Sequence, residues 1–168
     1  MDIEGGGVRM SHFMRPQSFS ALLHWIEREY REKDSIFGIH KSLFWQPRRE
    51  RFFVPDLFGG PVSSPIGPAA GPNTQLTQNI VVSWLCGARY MELKTVQIMD
   101  ELEFGRPCID VEDEGYNAEW SQELKLEQSV REYIKAWLLI PVLERLLGWE
   151  GSEGAGGLIF NKIGRAHV

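Results

Sequence analysis

Between residues 64 and 97 the chain passes from a short apolar run through a helical pattern into a second apolar run. No other feature of the sequence narrows the possible folds as much. Residues 66–70 read as an apolar strand closed by Gly71 and Pro72, and Asn73 can cap a following helix. That helix carries Leu76, Ile80, Val81, Trp84 and Leu85, with Gly87 where a helix normally stops. Residues 90–96 follow at once as a second strand. Strand, helix and strand within about 30 residues form a βαβ unit, so the two strands are expected to be parallel and the crossover right-handed.

The flanking pattern extends this unit. Ser18 can cap a helix with Phe19, Leu22, Leu23, Ile26 and Tyr30 on one face. Phe37, Gly38, Phe44 and Trp45 then suggest a loop packed onto something larger. Residues 47–64 read as two short strands around the Gly59-Gly60-Pro61 turn, with Arg48, Arg49 and Arg51 as exposed charge guarding an apolar strand. Residues 97–120 form a long connection rich in acids, and connections of that length are usually functional or disordered. A helical stretch from 122 to 147 is apolar at Leu126, Val130, Ile134, Trp137, Leu138, Val142 and Leu146, and Pro141 is expected to kink or split it. After the glycine-rich turn at 151–157, residues 158–161 begin a third strand. The order predicts an α/β fold with a parallel sheet and helices outside it.

Composition removes several functions. The chain has 168 residues and a net charge of −5, against the clustered Lys and Arg of a nucleic-acid or anionic-membrane surface. Cys86 and Cys108 are too few for a disulfide scaffold and fit a reducing, cytoplasmic setting. They also lack the spacing of a zinc or iron–sulfur site. No apolar run reaches the roughly 18–20 residues of a membrane span. His12, His24, His40 and His167 are scattered, and no dinucleotide-binding or P-loop glycine pattern is present. The acids at 110–114 lack calcium-loop spacing and read as a solvated loop, so no metal site is expected.

Chemistry in parallel α/β folds gathers at the C-terminal ends of strands. Ala69, Ala70 and Gly71 end the first strand, and such small residues let a ring or phosphate approach the backbone, or simply allow tight packing. Lys94 and Thr95 lie in the second strand. A lysine in an apolar strand needs a partner, and either a ligand or an ion pair with Glu92 or a loop acid serves. Asn161 ends the third strand with an amide able to donate and accept.

The segment SPIGPAAG at 64–71, followed by a helix and YMELKTVQ at 90–97, resembles the start of the dihydroorotate dehydrogenase-like flavin barrels. Adding Arg15-Pro16, SIFGI at 35–39, PCID at 107–110 and Lys135-Ala136-Trp137, residues 10–161 resemble the N-terminal region of the selenate reductase flavoprotein subunit family. The resemblance implies that this is the first part of a TIM (β/α)8 barrel, preceded by an N-terminal helix and a capping β-hairpin. It implies a long oxidoreductase chain whose later domains hold FAD, NAD(P) and iron–sulfur clusters, with molybdenum-enzyme-type partner subunits. In that family's terms Ala69, Ala70 and Gly71 would lie against FMN, and Lys94 and Thr95 would hydrogen-bond it. Asn161 would contact the flavin, and Asn117, in the Gly115-Tyr116-Asn117 turn, would hold substrate. Pro72-Asn73-Thr74 departs from the pattern common in those barrels, and their catalytic base falls after a later strand.

The expected organisation is a lead-in over 1–14, an N-terminal helix and packed loop over 15–50, and a partial barrel over 51–162. Residues 163–168 match one reading frame of a widely used sequencing adapter and are expected to be read-through without function. The expected function is a flavin-linked electron-transfer barrel, inactive as a fragment. The alternative is a cofactor-free barrel that packs as a scaffold against the electron-transfer modules.

Overall fold

The computed structural model describes residues 15–45, 63–69, 71–93, 109–110, 116–117, 124–149 and 158–161. The first helix, α1 (Phe19–Lys33), is capped by Ser18, whose Oγ accepts from the Ala21 amide at 3.1 Å. Its apolar face buries Leu22 and Ile26, as the periodicity predicts. Asp34 ends it in the left-handed region, at φ 51°.

The segment expected to be a packed loop opens instead with a tight hairpin. Strands β1 (Ser35–Ile36) and β2 (Ile39–His40) pair antiparallel across the two-residue turn Phe37-Gly38. Both turn residues have positive φ, 49° and 80°, which gives the backbone twist that matches the flanking strands. The strain at Phe37 is offset by its ring, which meets Trp25 edge-on with centroids 4.9 Å apart. The Glu29 carboxylate accepts from the Gly38 amide and ties the turn back to α1. The hairpin expected over 47–64 lies almost wholly outside the described residues.

The βαβ unit is present with one change. Residues 66–69 run extended beside the next strand but do not form a regular ladder. Two backbone bonds join them among the described residues: the Arg89 amide donates to the Ile66 carbonyl at 3.0 Å and the Glu92 amide to the Pro68 carbonyl at 3.4 Å. Pro65 and Pro68 have no amide to return. At Gly67 any Cβ would overlap the Tyr90 carbonyl, so the two backbones touch where a side chain would normally separate them. A 3-10 turn, Pro72–Gln75, then leads into α2 (Thr77–Leu85). Thr74 ties that turn together, its Oγ1 donating to the Gly71 carbonyl at 2.9 Å, and the cap position of α2 falls at Leu76 instead of the expected Asn73. Buried Ile80, Val81, Trp84 and Leu85 form the predicted inner face of α2.

Strand β3 (Tyr90–Glu92) pairs in parallel with the last strand, β6 (Ile159–Asn161), placing Tyr90 opposite Ile159 and Glu92 opposite Asn161. Between them lie a short antiparallel pair, β4 (Ile109–Asp110) and β5 (Tyr116–Asn117), and the long helix α3 (Leu126–Leu147). Pro141 does not split α3, which continues through it to a left-handed stop at Gly148.

The main core joins α1, α2 and the C-terminal half of α3 through Leu22, Ile26, Trp84, Leu85, Leu139 and Leu143. Trp84 and Trp149 meet within it at 5.2 Å. A smaller cluster, Ile80, Met91 and Ala136, seats the helices on β3 and β6.

The orientation of α3 corrects the sequence reading. Its buried positions are Ser129, Glu132, Ala136, Leu139, Ile140 and Leu143. The row read as core-facing, Leu126, Val130, Ile134, Trp137, Leu138, Val142 and Leu146, is 44–62% exposed. Two apolar faces compete on this helix, and the buried one carries polar partners for the 3-10 turn and the start of α2. Gln75 Nε2 reaches Ser129 Oγ at 3.5 Å, and the carboxylate of Glu132 receives the start of α2.

Candidate functional site: the carboxyl ends of the parallel strands

The βαβ geometry brings three chain ends to one level. Glu92 lies opposite Asn161 in the β3–β6 register, and the Glu92 amide reaches the Pro68 carbonyl. Pro68-Ala69, Glu92-Leu93 and Asn161 therefore end side by side, at the edge where barrel enzymes place their chemistry. Ala69 is exposed there. Gly71 is extended, at φ −167°, and its amide donates to Thr74 Oγ1 at 3.1 Å. Among the described residues no atom lies within 4 Å of where a Gly71 Cβ would project. Ala69 and Gly71 thus bring little or no side chain to this edge.

The other predicted site residues are placed less completely. Asn161 ends β6, and Asn117 lies on β5 with its backbone opposite Ile109. Ala70, Lys94 and Thr95 lie outside the described residues. Among the described residues no group of three or more His, Cys, Asp or Glu side chains is placed to hold a metal ion, and no helix is long and apolar enough to cross a membrane.

Just below this edge is a buried polar cluster that sequence reasoning missed. Glu132 is fully buried, and its Oε2 accepts from the Thr77 amide at 2.9 Å and from Thr77 Oγ1 at 2.6 Å. Thr77 is the first residue of α2, so a carboxylate from α3 satisfies the free amide end of α2 and complements its dipole. Lys135 completes the charge pair with Glu132, and its Nζ also donates to the Gln17 carbonyl at 2.5 Å, ahead of α1. The sequence signal was Glu132 and Lys135 three apart on a helix, a spacing shared by most solvent-exposed pairs.

At the opposite end of β3, Arg89 is fully buried between aromatic faces. Its guanidinium carbon lies 5.2 Å from the Trp45 ring centroid and 5.4 Å from that of Trp84, and Nη1 donates to the Trp84 and Ala88 carbonyls. Burial pushes its pKa down to about 10, against the opposing pull of Glu144. The Trp45 amide donates to the Leu85 carbonyl at 2.8 Å, so this cluster holds the amino-terminal segment onto the βαβ unit.

A parallel βαβ unit is the building piece of α/β proteins, open sheets and closed barrels alike. The chain belongs to the family described as oxidoreductase YgfK, N-terminal TIM-barrel domain, whose model matches residues 37–164. It is 47% identical over 152 residues to the protein named "Putative oxidoreductase YgfK" of Escherichia coli K12, and equally to that of Escherichia coli O157:H7. Each match covers 90% of this chain and 14% of the relative, so the chain spans about one seventh of the length of these relatives. No solved structure is significantly similar to it.

Proposed function

We propose that this region is the opening part of a flavin-binding barrel in a long oxidoreductase chain of the selenate reductase flavoprotein type. In that chain, electrons pass among FMN, FAD, NAD(P) and iron–sulfur clusters held by further domains. The observation carrying the reading is the level edge at Ala69, Glu92 and Asn161, where, among the described residues, no atom lies within 4 Å of a Gly71 Cβ position. The relatives' name as oxidoreductases supports the reaction class. A bound FMN would supply electron storage that no side chain offers. This chain's own contribution would be positional. Ala69, Ala70 and Gly71 would let the ring lie against the backbone, while Lys94 and Thr95 would hydrogen-bond it and Asn161 would hold its edge. Lys94 would also favour the reduced, anionic ring through its positive charge.

The test is flavin content in a purified full-length chain carrying this region. The expected result is a flavin absorbance band with FMN released on denaturation. A charge-assisted hydrogen bond is worth about 1.5–3 kcal/mol, so Lys94→Ala should weaken FMN binding by at least about tenfold. A well-folded chain that releases FAD but no FMN would replace this reading with a cofactor-free barrel that packs as a scaffold against the electron-transfer domains.

A further inference from the structure

Helix α3 carries an unbroken apolar ridge on its exposed side. Ile134, Leu138, Val142 and Leu146 follow one another at four-residue intervals and are 50, 45, 48 and 47% exposed. Rows of this spacing are the ridges by which helices interlock with other helices. The ridge does not end at open solvent. At Val142 and Leu146 it enters a groove of about 380 Å³ between α3 and α1, lined also by Leu23, Ile26, Tyr30 and Leu143 and edged by Glu27 and Arg31.

Closing the barrel would not cover this surface. At about 100° per residue, Ile134 and Leu138 lie across the helix from the positions that Ala136, Leu139 and Leu143 bury. A barrel grows sideways, adding each helix beside the last, so a following helix would meet the flank at Leu126, Val130 and Trp137. The outward ridge and the α1 groove would stay bare. Monomeric proteins rarely leave a contiguous apolar patch of this kind exposed.

The size of the relatives supplies an occupant. This chain corresponds to 14% of their length, and a whole barrel takes about 250 residues. Most of such a chain therefore lies outside the barrel, tethered to it at a high effective concentration. We propose that the ridge Ile134–Leu138–Val142–Leu146 and the adjoining α1 groove form the seat of an amphipathic helix from a later, non-barrel domain of the same chain. The inference goes beyond flavin binding and does not depend on it.

The test uses a full-length family member, the Escherichia coli relative. A benzophenone amino acid is introduced at the position aligned with Leu138 and, as a control, at that aligned with Glu32, an exposed residue on the side of α1 turned away from the groove. After illumination, peptide mass spectrometry identifies what each probe has reached. The expected result is a within-chain adduct from position 138 to a peptide beyond the barrel domain, at least tenfold more abundant than any from position 32. Adducts confined to barrel peptides, adducts only between copies, or no excess over the control would each overturn the proposal.

Discussion

Glu132 is a charged side chain with no access to solvent, and it survives there because every group around it answers its charge. The Thr77 amide and hydroxyl and the Lys135 ammonium all point to it. Removing one partner of a buried charged cluster costs about 3–5 kcal/mol, because the other is left uncompensated. Glu132→Ala is therefore expected to destabilise the chain by about 3 kcal/mol in chemical denaturation. Glu132→Gln should cost measurably less, since an amide oxygen still accepts from Thr77 although the Lys135 charge again loses its counterion. Equal losses in the two variants would show that the carboxylate's hydrogen bonds are not what matters. Glu132 was illegible in the sequence for a physical reason. Its partner lies 55 residues away, and only the packing of two helices turns a glutamate of ordinary helical surface spacing inward. Leu22 and Ile26 needed no such partner, and their burial followed from period alone.

The elements show the same division. Helices α1 and α2 and the parallel strands β3 and β6 were legible because each has a single pattern with nothing to contradict it. Helix α3 has two apolar faces, and the more apolar one misled. The β1–β2 hairpin was missed because its first turn residue is Phe37, where Asn or Asp is the usual signal for a positive φ. The strand expected at 66–70 was half right: the backbone runs where predicted, but two prolines and the close pass of Gly67 against Tyr90 prevent a ladder. Pro141 offers a prediction at this scale. It lies in the exposed interior of α3 and removes one amide from the helix ladder. A proline there costs up to about 3 kcal/mol, so Pro141→Ala should raise the denaturation midpoint by the equivalent of about 1–3 kcal/mol. No gain would mean that α3 is already bent to suit the proline.

For the whole molecule, the critical joint is the one between the amino-terminal segment and the βαβ unit. Trp45 makes it, stacking on Arg89 and bonding to Leu85 through its amide, while Gly87, at φ 109°, leaves room for the indole. Truncating a core tryptophan costs about 3–5 kcal/mol, and Trp45 is only partly buried. Trp45→Ala should therefore cost about 2 kcal/mol and expose α1 and the β1–β2 hairpin to proteolysis before the barrel portion. Simultaneous cleavage of both would place the weak point elsewhere. The loss should not vary between pH 5 and 8. Arg89 has a pKa near 10 when folded and its ordinary, higher value when unfolded, so it is charged in both states throughout that range. Only as pH rises through 10 does the folded state release its proton first and gain stability relative to the unfolded chain. The parallel α/β class was legible at this scale because a βαβ alternation fixes strand direction without any side-chain detail, whereas the barrel came only through the family resemblance. The common level of the strand ends was legible too, whereas a ligand at that edge is a matter of side chains that the strand pattern leaves open.

The carboxylate that closes the start of α2 also sets a schedule for synthesis. With nine residues, α2 is too short to persist by itself, and the group that completes its first turn is encoded 55 residues later. A ribosome adding about 5–20 residues per second needs roughly 3–11 s to reach Glu132 after Thr77. For that interval the nascent βαβ unit has an unfinished middle, and its two strands wait for α3 before either can be held in place.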